Sequence, residues 1–170
     1  MSKVYPPSHF AYISDNLYRS AYPSAINRPF LESLNLKGVL IIAAVKNDEL
    51  ESSATSFVHH LSSLESIEDD LKTAKCGSTS DFTLGNIHHQ RKQQANEEEM
   101  QNIITIIKSF QEKNEPLLIC CASGKHVSNL VLGCVRKVVN GWALTSIFDE
   151  MRRFAGIQLI QEQFVEMFNE

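Results

Sequence analysis

The chain has 170 residues, 43% of them hydrophobic, with a net charge of −4, enough apolar material for one substantial core without disulfides or metal. The slightly acidic balance and the lack of a dense basic block argue against a nucleic-acid partner, and no apolar run approaches the roughly 20 residues of a membrane span. Met1–Pro7 does not read as a signal peptide, and the cysteines Cys76, Cys120, Cys121 and Cys134 form no disulfide framework, which favours a reducing cytosol or nucleus, and a cytoplasmic location is expected.

In chain order, Leu17-Tyr-Arg-Ser20 predicts a short edge strand, and Tyr22-Pro23 turns the chain away from it. Phe30–Leu34 predicts a short helix. Gly38–Ala43 predicts an apolar strand of the buried, parallel kind. Ser53–Leu64 suggests a helix. Residues 65–85, from Glu65 to Gly85, are polar and Ser/Asp-rich, longer than a compact connection, and read as an inserted loop. Asn96 with Glu99 forms a capping-box pattern ahead of a stripe made by Met100, Ile103, Ile104, Ile107 and Phe110. Glu97, Glu98 and Glu99 then read most simply as complements to the helix dipole.

Leu117–Ile119 predicts a strand, and a helix begins at Val127 with Cys134 as a small core residue on it. Leu144, Ile147, Phe148, Met151 and Phe154 make a helical stripe stopped by Gly156. Ile160, Phe164, Met167 and Phe168 repeat the pattern on a last helix. Asp149, Glu150, Arg152 and Arg153 fall on other faces, as a solvated or docking surface. No internal repeat is visible. The order predicts a single α/β domain over residues 1–170, in three layers, with a parallel-rich central sheet flanked by helices.

The chemistry concentrates in Pro116-Leu-Leu-Ile-Cys-Cys-Ala-Ser-Gly-Lys-His-Val-Ser128. Strand, cysteine, Gly-containing loop and helix start are the layout of a phosphate cradle with a thiolate nucleophile. Loop amides and the helix dipole favour both the thiolate and a bound phosphoryl group. Such a loop reads Cys-x5-Arg, which from Cys121 puts the arginine at position 127, where this chain has Val127. Arginine would donate two hydrogen bonds to phosphoryl oxygens, about 3–6 kcal/mol at roughly 1.5–3 kcal/mol each. Its loss corresponds to about 10²- to 10⁴-fold in rate. His126 could substitute only by turning into the cradle, and Lys125 is the remaining cationic contact. Arg19 reads either as aimed at a phosphate or as a structural ion pair. Cys120 and Cys121 with His88 and His89 lack zinc-ligand spacing, so neither a metal nor a cofactor is expected.

Three stretches carry a resemblance. They are Asn16-Leu-Tyr-Arg-Ser-Ala-Tyr-Pro23 continuing through Arg28–Lys37; the loop with Gly124-Lys125-His126; and Gly133-Cys-Val-Arg-Lys137 followed by Gly141–Phe154. In these the chain resembles the plant and fungal atypical dual-specificity phosphatases, a cysteine-dependent group that includes inositol pyrophosphate phosphatases. The resemblance implies a dual-specificity-phosphatase-like fold, Cys121 as nucleophile, and Cys121, Ala122, Ser123, Gly124, Lys125, His126, Val127 and Ser128 as the phosphate-binding loop. It also implies an acid for the leaving group, for which Glu97–Glu99 and Asp81 are the candidates, and related family proteins as partners in a hetero-complex. The departures fall in the loop: Cys120 for His, Ala122 for a basic residue, Val127 for Arg, Ser128 for Thr. The expectation is therefore a pseudophosphatase, a binding or scaffolding subunit with a vestigial Cys121. Its loop would bind anions weakly through the amides of Ser123–Ser128. The alternative is a weak phosphatase using Cys121 on phosphotyrosine-type or inositol pyrophosphate substrates.

Overall fold

Alternation along the strands sets the layers. In β5 (Leu117–Cys121), Leu117, Ile119 and Cys121 turn into one apolar core while Leu118 and Cys120 turn into a second. The strand β3 (Gly38–Val45) does the same, with Leu40 and Ile42 on the first side and Val39 and Ile41 on the second. A strand buried on both faces must be flanked by cover on both faces, so the sheet lies between two layers. The structure, a computed structural model, describes residues 4–45, 56–64, 66, 67 and 89–169.

The remaining strands are β1 (Ala11–Ser14), β2 (Leu17–Ala21) and β4 (Ser56–Ser62). The sheet order is β1-β2-β5-β3-β4. β2, β5 and β3 run parallel, and β1 and β4 close the two ends antiparallel. Two expectations are corrected here. The Leu17–Ser20 segment is not an edge strand, since β2 pairs with β1 on one side and β5 on the other. Ser53–Leu64 is not a helix: β4 pairs with β3 from Val39↔Ser62 to Val45↔Ser56. The open hydrogen-bonding edge of β3 and the strand-favouring Phe57 and Val58 outweigh the weak helical spacing.

α1 (Arg28–Ser33) sits on the second face, where Leu31 and Ile67 complete the smaller core with Phe10, Tyr18, Tyr22 and Phe30 around it. On the first face lie α2 (His89–Glu112), α3 (His126–Val138), α4 (Leu144–Ala155) and α5 (Leu159–Met167). Met100, Ile103, Ile104 and Ile107 of α2 are fully buried. The helix starts at His89, so Asn96 is not its N-cap and Glu97–Glu99 lie mid-helix. The strong helix formers between His89 and Ala95 carry it upstream of the apolar stripe. The expected insertion lies outside the described residues, Ser66 and Ile67 excepted.

The carboxyl-terminal helices pack closely on α3. A Cβ at Gly133 would stand 2.7 Å from Met151 Sδ and 3.0 Å from Val165 Cγ2, so a larger residue there would make the side chains of α4 and α5 shift. Arg136 donates to Glu150 from Nε and Nη2, both at 2.9 Å, and Arg152 pairs with Glu162. Glu150 and Arg152 therefore tie helices together, which corrects the reading of this face as simply solvated. Gly156 stops α4 with φ 72°. Of the stripe expected on the last helix, Phe168 is buried at the C-cap of α5, but Ile160 and Met167 are exposed, and the buried residue within α5 is Val165. Among the described residues no helix is long and apolar enough to cross a membrane.

Candidate active site

Cys121 ends a central strand and is held there from two sides. Its carbonyl accepts hydrogen bonds from Tyr22 N at 2.9 Å and from Gly124 N at 3.2 Å. The chain reverses at Gly124, with φ 67°, and a Cβ there would stand 2.3 Å from Ala21 N and 2.8 Å from Ser20 C. The loop thus closes directly on the end of β2, and glycine is required both for the left-handed backbone and for the approach. Lys125 follows as the N-cap of α3, its amide donating to Ser123 Oγ at 3.2 Å. The predicted strand, loop and helix are all present in their expected order.

The eight loop residues divide by exposure. Cys121 and Ser128 are each 2% exposed, Gly124 is buried, Ala122, Ser123 and His126 are exposed, and Lys125 and Val127 are half-buried. Val127 packs against the larger core and offers no donor. The Ser128 hydroxyl is buried and, among the described residues, has no hydrogen-bond partner. The amides of Gly124 and Lys125 donate within the loop, so those two are already engaged, which narrows the expected cradle of amides from Ser123 to Ser128.

Arg19 is turned into the interior, and among the described residues it forms no ion pair. It is 1% exposed, with Nη1 donating to Asn129 Oδ1 at 3.2 Å and Nη2 reaching the Gly124 carbonyl at 3.5 Å. Its guanidinium lies over the Phe154 ring, 3.2 Å from the centroid. Burial lowers its pKa to about 10, still far above neutrality, so it remains a cation. Asn129 in turn donates to the carbonyls of Met151 and Gly156, which links the loop to the end of α4. Sequence reasoning flagged Arg19 but not Asn129 or Phe154, because nothing in their spacing connects them to residue 19.

Cys120 and Cys121 face opposite cores, so the two cannot converge on one metal. Burial pushes the thiols of Cys120 and Cys134 well above the usual range, and burial does the same to the Tyr22 hydroxyl, which donates to the Ile42 carbonyl at 3.0 Å. Glu97 and Glu98 are exposed and Glu99 half-buried on α2. His88 and Asp81 lie outside the described residues, as does the side chain of His89.

A mixed sheet with a thiol at the tip of a central parallel strand, followed by a glycine-closed turn and a helix, is the framework of cysteine phosphatases. The chain matches the profile of the Tyrosine phosphatase family over residues 4–170, and it belongs to that family. It is 36% identical over 172 residues to "Probable tyrosine-protein phosphatase DG1060" of Dictyostelium discoideum, covering 99% of this chain and 90% of that protein. It is 30% identical over 177 residues to inositol diphosphatase SIW14 of Saccharomyces cerevisiae, covering 99% of this chain and 53% of that protein. The crystal structure of the core catalytic domain of PP-IP phosphatase SIW14, in complex with citrate, matches with a TM-score of 0.62 at 27% identity, over 98% of this chain and 89% of that one. Pseudomonas TpbA, at 19% identity and a TM-score of 0.55 over 95% of this chain and 83% of that one, shares the fold.

Proposed function

We propose that the protein is a slow cysteine-dependent phosphatase acting through Cys121 on phosphotyrosine-type esters or inositol pyrophosphates. The observation that carries this reading is the placement of Cys121 at the tip of β5, beneath a loop that Gly124 closes immediately before α3. The helix amides and dipole favour an anion at that point. The Cys121 thiolate attacks phosphorus, forming a P–S bond as the P–O bond to the leaving group breaks and that oxygen takes a proton from solvent water. Water then cleaves the phosphocysteine, releasing inorganic phosphate and the thiolate. The buried, unpartnered Ser128 hydroxyl is suited to donate to the sulfur or to a phosphoryl oxygen.

The names of the relatives support both substrate classes and favour turnover over a purely binding role. Val127 limits the rate, because no guanidinium fork holds the charge that spreads over the phosphoryl oxygens in the transition state. A second reading, a binding subunit with related family proteins as partners, rests on one observation: Val127 is packed against the core. The deciding assay is phosphate release from an aryl phosphate and from an inositol pyrophosphate, with Cys121→Ser as the blank. Wild-type turnover should exceed the blank while staying about 10²- to 10⁴-fold below a phosphatase with the loop arginine. Equal rates for wild type and Cys121→Ser would sink the catalytic reading and leave the binding one.

A further inference from the structure

Arg19 heads the large side chains that are fully buried, at 1% exposure, and among the described residues it has no carboxylate within ion-pair distance. A buried cation is costly unless something compensates its charge. Its partners are all neutral: the Asn129 side-chain oxygen, the Gly124 carbonyl and the Phe154 ring. Its Nε–H is buried and, among the described residues, has no hydrogen-bond partner. The ionisable groups that act on it are Cys121 and Glu150, and the Glu150 carboxylate is committed to Arg136. In the parallel pairing of β2 with β5, Arg19 stands opposite Ile119 and Ala21 opposite Cys121. Its contacts with Asn129 of α3 and Phe154 of α4 place it on the same face of the sheet as Cys121.

We propose that Arg19 is the positive charge beneath the anion cradle: it holds the Gly124 carbonyl and favours a phosphoryl group bound on the Cys121 side of the sheet. The proposal deepens the phosphatase reading above and rests on it. Arg19 is a positioning residue, acting through the loop. Two neutral acceptors and a ring orient the guanidinium without cancelling its charge, and an anion above the loop does cancel it. With Val127 in place of a fork, the site's positive potential comes from Arg19 below the loop and the half-buried Lys125 at its rim.

Titration with inorganic phosphate, followed by 1H–15N NMR of the loop amides and of the Arg19 Nε–H, tests this in the wild-type protein. Expected is a shift of the Arg19 Nε–H with the same midpoint as the amides of Ala122–Ser128. Arg19→Met should weaken phosphate binding about tenfold or more, through loss of the buried positive charge beneath the loop, while Arg19→Lys should stay within about threefold because it keeps the charge. A merely structural arginine would leave the Nε–H unmoved while the loop amides shift, or would let a folded Arg19→Met bind phosphate like wild type; either result overturns the proposal. If Arg19→Met does not fold, the wild-type titration and Arg19→Lys decide. Silence of the loop amides as well would overturn the phosphatase reading itself, and this inference with it.

Discussion

Replacing Gly124 with alanine should damage both the fold and the loop, by an amount the geometry sets. Two costs combine. The backbone there has φ 67°, a left-handed conformation that costs a residue with a Cβ about 1–2 kcal/mol. The new methyl would also stand 2.3 Å from Ala21 N, 2.8 Å from Ser20 C and 2.9 Å from Ala21 Cα. Backbone atoms of a strand paired on both sides cannot give way cheaply, and overpacking of this kind adds about 1–3 kcal/mol. The sum is about 2–5 kcal/mol, which for a domain of this size lowers Tm by roughly 2–4 °C per kcal/mol. Gly141 supplies the control, because it has φ 65° and, among the described residues, nothing within 4 Å of where its Cβ would be. Gly141→Ala should carry only the backbone cost. Chemical denaturation of both variants measures the two values side by side. If the two substitutions destabilise equally, the close approach of the loop to β2 is not what fixes Gly124.

Two further outcomes are expected. Because burial raises the thiol pKa values of Cys120 and Cys134 in the folded state, the unfolded chain loses these protons first as pH rises. Stability should therefore be full below the unfolded thiol pKa of about 8.5 and decline above it, by up to about 1.4 kcal/mol per pH unit per thiol. Cys120→Ala and Cys134→Ala should each flatten that decline, measured by urea denaturation between neutral and alkaline pH; an unchanged slope in both would refute the assignment. The paired substitution Ala122→Lys and Val127→Arg should raise phosphate release by at least about tenfold, a fraction of the fork's full value. Adding Cys120→His should instead cost stability, since that position is fully buried beside Leu31, Val39, Ile41 and Leu118. A folded double variant with no gain in phosphate release would mean that a further catalytic element is missing.

The core of the site was legible because local signals agreed. An apolar run, a cysteine, a glycine and a renewed helical pattern follow one another within Leu117–Val138, and each step has its own physical cause. Harder to read were features decided by partners distant in sequence. Ser56–Ser62 is a strand because β3 needs a neighbour, a demand that no window around residue 56 contains. The true start of α2 was hidden because the turns before Met100 are polar, so propensity without periodicity carried them. Arg19 finds Asn129 and Phe154 across more than a hundred residues of chain, and only the parallel pairing of β2 with β5 brings them together.

The adjacency of Cys120 and Cys121 makes strand register the arbiter of chemistry. Side chains alternate faces, so sliding β5 by a single residue would exchange the two thiols. Cys120 would then stand beneath a shortened turn, and Cys121 would be sealed in the smaller core with Leu31 and Ile67. Gly124 would no longer meet the end of β2. Pairing on both sides, Leu17↔Leu117 through Ala21↔Cys121 and Gly38↔Leu117 through Ile42↔Cys121, forbids that slip twice over. Assembly of the three parallel strands therefore selects which of two chemically identical neighbours lies on the face of α3 and which in the smaller core, before any residue of the loop contributes.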